Sequence, residues 1–202
     1  THLHSHFISL PADIAELCSR MLGLPFSISA HAKDIYLSEP AALARKMMAA
    51  RFTVTCTEAN RQALAAIAPL AALHRMYHGV DHTLFHPRQR RLAGQVPLIV
   101  SVGRLRAKKG LDVLVDACAT LRARGVPFAC EIVGYGEEQP RLQAQIDRLG
   151  LQAQVQLVGK LAREQVIDRY ARAAVYVQPS RIAADGDRDG IPNVLLEAMA
   201  MA

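Results

Sequence analysis

The chain has 202 residues, 51% of them hydrophobic and 21% charged, which suits one large or two small domains with a sizeable core. No run of about eighteen apolar residues occurs, so a spanning helix is excluded, and the first residues carry no signal-peptide pattern. The formal charge of +6 favours an anionic partner, whether a phosphate-bearing ligand, an anionic membrane surface or a nucleic acid. Only 5% of residues are aromatic and none is Trp, which argues against nucleic acid, because single-strand binders need stacking platforms.

In chain order, HLHSHFISL reads as a strand and PADIAELCSRMLG as a helix with Pro at its start and Gly at its end. PFSISAH follows as a strand, EPAALARKMMAA as a helix, RFTVTCT as a strand and EANRQALAAI as a helix. RMYHGV is expected to be a last short strand. The polar, basic stretch FHPRQRRLAGQVP then reads as an inter-domain linker, so residues 1–86 form one unit and 87–96 the connection.

The remaining residues, 97–202, alternate more clearly. PLIVSVG is a buried strand, and GLDVLVDACATLRARG a helix with Leu111, Leu114, Val115, Cys118 and Leu121 on one stripe. FACEIVG, VQLVG and AVYVQPS read as further strands. EEQPRLQAQIDRLG and REQVIDRYARA read as helices between them, and a last helix runs from about Pro192. Strand and helix alternating at intervals of roughly 25–30 residues predict parallel sheets wound by right-handed crossovers. The four cysteines, Cys18, Cys56, Cys118 and Cys130, lie in apolar periodic segments without CxxC spacing. They read as reduced core thiols of a cytosolic protein.

Open parallel sheets bind ligands beyond the carboxyl ends of their strands. The GRLRAKKG loop there crowds Arg104, Arg106, Lys108 and Lys109 between a strand end and a helix start. It is either a solvated charge run or an anion site, since a helix N-terminus favours anions and Arg grips phosphate bidentately. GYGEE lacks the third Gly of a dinucleotide fingerprint and reads equally as a tight turn, and GKL lacks the spacing of a P-loop.

DGDRDGIPNVLLEAMAMA begins like a calcium loop, with Asp185, Asp187, Asp189 and Gly190. Position twelve is Leu196, however, and Glu197 arrives one residue late, which rotates its carboxylate by about 100° around a helix. The segment reads instead as a loop opening an apolar helix at a strand end, with Pro192 in its first turn. Glu197 would be buried there or at a cleft wall, and a buried carboxylate needs a partner: either ligand hydroxyls or a structural partner such as an Arg. His2, His4 and His6 would share one strand face, but no acid or Cys completes a metal set, so no metal site is expected.

Taken in order, SVGRLRAKKGLDVLVDA, VGYGEE, VQLVGKL and DGIPNVLLEAMA resemble the retaining glycosyltransferases of family 4, and HSHF, SAHAKDIY and HGVDHTLFHP resemble the second half of that family's N-terminal domain. The likeness is strongest to enzymes of bacterial exopolysaccharide and colanic-acid assembly. It implies an α/β protein of GT-B type, with two Rossmann-like doubly wound units, both incomplete. The chain would be an internal segment of a longer protein, without the family's glycine-rich acceptor loop.

The resemblance also implies roles. Arg104 and Lys109 match the pair on the donor diphosphate, beside Gly103. Asp189 and Glu197 match a two-acid motif, the first acid by the donor sugar and the second by the ribose. Asp189 stands where the family has the longer Glu, and His78 where it usually has Asn. The backbone of Gly190, Ile191 and Pro192 would face the phosphates, while Gly134, Lys160 and Leu161 would lie near the nucleoside. His31 matches a histidine that faces the reaction centre. The implied reaction moves a hexose from a nucleotide-sugar, with UDP or GDP as the carrier, to a lipid-linked or polysaccharide acceptor, with retention and without metal or other cofactor. The implied place is the cytoplasm, peripherally at the inner membrane face. A sugar phosphorylase and a non-catalytic nucleotide-sugar binder are the alternatives.

Overall fold

The structure is a computed structural model and describes residues 1–88 and 96–202. The expected linker over 87–96 therefore lies largely outside the described residues. The chain forms two compact units: residues 1–78 with 182–191, and residues 79–181 with 192–202.

The first unit holds β1 (Leu3–His6), α1 (Leu10–Leu22), β2 (Phe26–Ala30), α2 (Ala32–Leu37), α3 (Pro40–Ala49), β3 (Thr53–Thr55), α4 (Glu58–Ile67) and β4 (Leu73–Arg75). Its four strands are all parallel and lie in sequence order, β1-β2-β3-β4. Every crossover thus steps the same way, and crossovers of one hand then stack their helices on one face. A single core results, in which Ile8, Ala12, Phe26, Ile28, Leu43, Met47 and Leu64 are fully or almost fully buried. The other sheet face carries His2 and His4, which hydrogen-bond to the Ser27 hydroxyl, with His4 also reaching Ser29. α1 ends on Gly23 in the left-handed conformation, φ 65°, where glycine alone carries no Cβ penalty. The outward side of α1 shows Leu10, Ile14, Leu17 and Met21, all more than half exposed.

The second unit holds β5 (Leu98–Val102), α5 (Leu111–Ala123), β6 (Ala129–Val133), α6 (Gln139–Arg148), β7 (Val155–Gly159), α7 (Arg163–Arg172), β8 (Val175–Tyr176) and α8 (Asn193–Ala200). Its parallel strands run β7-β6-β5-β8, so the chain reverses direction across the sheet at β5. Helices therefore cover both faces. Leu114, Val115, Cys118, Ile132, Leu142 and Ile146 fill one side, and Leu98, Val100, Val102, Ile167 and Tyr170 the other. Alternation along β5 sends Leu98, Val100 and Val102 to the second side while Ile99 packs on the first, the period-2 rule of a strand buried twice. Each fully buried Leu or Ile contributes about 1.5–3 kcal/mol.

Several expectations are corrected. The strand expected over RMYHGV lies earlier, at Leu73–Arg75. The strand in AVYVQPS is only two residues long. A helix not foreseen, α2, follows β2, starting directly after His31. Pro192 is the residue before the first turn of α8, with ψ 127°, rather than within it. α8 has no buried residue of its own, so it is a half-buried helix, because its apolar sequence outruns the surface that covers it. Cys56, Cys118 and Cys130 are buried free thiols, but Cys18 is half-exposed. Among the described residues no helix is long and apolar enough to cross a membrane.

Candidate functional site

The strand ends of β5, β6 and β7 enclose a pocket of about 190 Å³ in the second unit, lined by Val102, Gly103, Arg104, Val133, Gly134, Tyr135, Lys160, Leu161 and Val166. Its floor is made by backbone. Gly103 N–H donates to Val133 O, Gly134 N–H to Gly159 O and Leu105 N–H to Tyr135 O, at 2.8–2.9 Å. Such close approach requires glycine. A Cβ on Gly134, whose φ is 141°, would lie 1.8 Å from the Gly103 carbonyl oxygen. One on Gly136 would lie 2.4 Å from the Leu105 oxygen. The two glycines of GYG thus serve loop-to-loop packing, and the tight-turn reading of that motif is the one the backbone supports.

The four basic residues of GRLRAKKG separate into different environments. Ala107–Lys109 form a single 3-10 turn that ends on left-handed Gly110, φ 63°, just ahead of α5. Arg106 is tied to Glu137 through Nε–Oε1 at 3.1 Å and Nη2–Oε2 at 3.2 Å. Arg181 anchors the turn, its backbone N–H on Lys108 O and its guanidinium on Asp112 at 3.0 Å. The stem of Lys109 lies along Gly103, with Cε 3.6 Å from where a Cβ there would sit. Arg104 is exposed, its carbonyl accepts from Arg106 N–H at 2.9 Å, and its guanidinium has no hydrogen bond or ion pair among the described residues. Across the pocket the Lys160 ammonium stands 5.9 Å over the Tyr135 ring. Among the sequence-predicted residues, Gly103, Arg104, Lys109, Gly134, Lys160 and Leu161 therefore come together.

Glu197 lies in α8 and is half-buried. Its Oε2 accepts a hydrogen bond from the Tyr170 hydroxyl at 3.2 Å, and no ion pair to it occurs among the described residues. The partner is a tyrosine rather than the Arg considered from sequence. Tyr170 is buried and packs edge-on against Tyr176 at 5.6 Å. Burial first, then the nearby Tyr176 and Glu197, push the Tyr170 hydroxyl well above its ordinary range, so it is a fixed donor. Tyr176 in turn donates to Gln178 at 2.8 Å and reaches the carbonyl of Val102 in the pocket wall at 3.4 Å.

His31, Asp189, Gly190 and Ile191 belong to the first unit. His31 precedes α2 in extended conformation, with the Phe7 ring 5.0 Å and the His78 ring 5.8 Å from its own. Burial and then the neighbouring His78 hold its imidazole below the usual histidine value. The DGDRDG loop is built on its own hydrogen bonds. Asp187 N–H donates to the Asp185 carboxylate at 3.0 Å, Ala183 N–H to Asp187 O at 2.8 Å, and Gly186 has φ 87°. The alternation of Asp and Gly is thus turn chemistry, an Asp side chain capturing the N–H two residues on. The Arg188 guanidinium stacks 3.9 Å over Tyr36. A Cβ on Gly190 would meet Cys56 Sγ at 2.9 Å, so a larger residue there would have to displace that thiol. Among the described residues no three His, Cys, Asp or Glu side chains are grouped to hold a metal ion.

The profile of the glycosyl transferases group 1 family matches residues 83–202, more than half of the chain. The chain belongs to this family. Over 130 residues, 64% of the chain, it is 40% identical to the glycosyltransferase named for colanic acid biosynthesis, WcaL, of Escherichia coli K12. Over 67% of the chain it is 34% identical to the GDP-mannose-dependent alpha-(1-6)-phosphatidylinositol monomannoside mannosyltransferase of Mycolicibacterium smegmatis. These matches cover 32% and 38% of the two relatives, so the chain spans about a third of their length. Among solved structures, sucrose-phosphate synthase of Thermosynechococcus elongatus superposes with a TM-score of 0.82 over 98% of this chain and 53% of its own, at 19% identity. That likeness carries the fold, which is GT-B.

Within this glycosyltransferase chain, sequence reasoning missed Tyr135, Val133 and Val166 in the pocket wall and Tyr170 beneath Glu197. Tyr135 could have been found, since it sits between the two glycines of a strand-end loop. Tyr170 could not, because nothing local marks a helix residue that meets a carboxylate 27 positions later.

Proposed function

We propose that the chain is part of a retaining hexosyltransferase that takes its sugar from a nucleotide-sugar and adds it to a lipid-linked or polysaccharide acceptor at the cytoplasmic membrane face. The observation that carries this reading is Arg104, exposed and with no side-chain partner among the described residues, in the lining of a strand-end pocket that also includes Lys160, with the stem of Lys109 beside Gly103. Clustered cations at one cleft repel each other unless an anion compensates them. A diphosphate supplies that anion, and Arg grips its oxygens bidentately while Lys adds a mobile charge. As the sugar leaves, negative charge grows on the diphosphate, so fixed cations there lower the barrier without a metal ion. The pocket beneath, walled by Tyr135, Val133 and Val166, takes the nucleoside. Glu197, with Oε2 held by Tyr170, presents its other oxygen to the ribose hydroxyls. Asp189 and His31 act on the sugar side, with the backbone of Gly190, Ile191 and Pro192 toward the phosphates.

The mycobacterial relative is named for GDP-mannose, so GDP-sugars join UDP-sugars as the first donors to try. The test is turnover by the intact polypeptide with each donor, followed by NMR of the anomeric configuration in the product. Retained configuration supports the reading. Inverted configuration contradicts it, consumption only with free phosphate points to a phosphorylase, and binding without turnover points to a non-catalytic binder. Unchanged activity in the presence of a chelator is also expected.

A further inference from the structure

Phe7 has φ 83° and is the one non-glycine residue with positive φ among the described residues. A bulky side chain in that region is a strained outlier, and such strain persists only where the surroundings over-determine it. The turn from β1 into α1 is held in that way. Phe7 N–H donates to Ser29 O at 2.9 Å, and its carbonyl accepts from the Ser5 hydroxyl at 2.9 Å. The buried Lys46 ammonium, brought over by α3, binds the carbonyls of Ile8 at 2.9 Å and Ser9 at 3.0 Å, and is itself paired with Asp13 at 2.8 Å. The Asp34 carboxylate of α2 faces the Ile8 N–H and the Ser9 hydroxyl. Ile8, the residue after the strained one, is fully buried.

What this turn gains is the direction of one ring. The Phe7 ring is half-exposed, so it is not spent on the core, and it lies 5.0 Å from the His31 ring at 53°. His78 stands on His31 as well, at 5.8 Å. We propose that Phe7 is a positioning residue for His31: its strained turn sets an apolar ring against the imidazole, which fixes the ring's tilt and excludes water from one face. The proposal rests on the reading of His31 as a group on the sugar side, and names how the fold presents it. The groups that bear on the His31 charge are His6 from β1, Asp34 from α2 and His78 after β4. His6 and His78 disfavour a proton on His31, while Asp34 favours it. Burial, part of which Phe7 supplies, acts with the two histidines. A cation on His31 would thus compete with a neutral ring suited to hydrogen bonding with a sugar hydroxyl.

The test compares Phe7→Gly and Phe7→Leu in the intact polypeptide. Glycine relieves the backbone strain while removing the ring, so the variant should fold. Leucine keeps apolar cover but loses the flat face. NMR titration of the His31 ring protons is expected to show its midpoint moving up toward 6.5 in Phe7→Gly and less so in Phe7→Leu. Turnover should fall by roughly tenfold or more in Phe7→Gly with little change in donor KM, as misplacement of a reacting group predicts. A His31 titration identical in all three proteins would overturn the proposal, whatever the kinetics. If instead the titration moves as expected and His31→Ala keeps full turnover, the placement stands and the role given to His31 under the proposed function is what fails.

Discussion

The two units reach a parallel sheet by different windings, and the chemistry at their strand ends differs with them. In the first unit the strands follow in sequence order and one face is covered by helices. In the second the order reverses at β5, and both faces are covered. Reversal makes neighbouring strand-end loops diverge, which is where open sheets hold ligands. The second unit carries Arg104, Lys109 and Lys160 close to the ends of β5 and β7. The first unit places the rings of His6, His31 and His78 near its strand ends. On the proposed reading the cations of the second unit meet the donor diphosphate, and the first unit presents rings that donate or accept hydrogen bonds.

The largest effect should come from breaking the backbone contact on which the anion side rests. Gly134→Ala puts a Cβ 1.8 Å from the Gly103 oxygen, and neither loop can yield without losing its hydrogen bonds. A destabilisation of roughly 3 kcal/mol or more is expected, with loss of nucleotide binding. Thermal melts and nucleotide titrations check this; a variant as stable and as tightly binding as the parent contradicts the packing role given to GYG.

A core substitution sharpens the contrast between one-sided and two-sided sheets. Ile28→Ala and Ile132→Ala each empty a site with at most 1% exposure and should cost about 2–5 kcal/mol by urea unfolding. Ile132 lies just below the pocket loops, one residue before Val133, so its loss should also weaken nucleotide binding; Ile28→Ala should leave that binding in place.

Glu197→Gln is the intermediate case. Tyr170 still finds an acceptor, so the melting temperature of the empty protein should hardly move. Donor affinity should fall by about 1–3 kcal/mol, the order of a charge-assisted hydrogen bond. A large drop in melting temperature with unchanged affinity would remove Glu197 from the ribose site.

Acid probes the first unit, whose titrating groups act with opposite signs. His4 and His31 have folded values below 6.5, each lowered first by burial. The unfolded chain therefore binds their protons first, and stability should decline as pH falls from about 6.5 toward those lower values. Asp34, raised by burial, acts oppositely in the carboxylate range, where the folded state protonates first. Acid melts followed by probes in the first unit should show the histidine decline; a flat profile between pH 6.5 and 5 contradicts it. The smallest effect is expected for Arg106→Ala. An exposed pair with Glu137 is worth about 0–1 kcal/mol, and the proposed phosphate contacts are assigned to Arg104 and Lys109, so binding and stability should both stay near parent values.

Much of this was legible in the sequence because the apolar periods are strong. The stripe from Leu111 to Cys118 is buried as read, and α4 and β7 begin and end where their patterns do. The strand-end cations were also legible, since position after a strand is a local signal. Other features were not. β4 was placed late because Met76–Val80 has strand-like residues, but its pairing with β3 goes no further than Met76 N–H on Thr55 O among the described residues, and pairing is not local. α8 looked buried because sequence records how apolar a helix is and not how much surface covers it. The separation of Arg104 from Arg106 depends on Glu137, 31 residues away from Arg106, and Phe7 looks like an ordinary strand residue until its φ is known.

The central claim is that the second unit's strand-end cations hold a donor diphosphate. Isothermal titration of UDP and GDP, and of uridine and guanosine, into the intact polypeptide and its Arg104→Ala/Lys109→Ala variant tests it most directly. The account predicts that the variant loses roughly 10²–10⁴-fold in diphosphate affinity, as two charge-assisted contacts of about 1.5–3 kcal/mol each imply, while nucleoside affinity stays within a few-fold. Equal losses for nucleoside and diphosphate, or none for either, would contradict it.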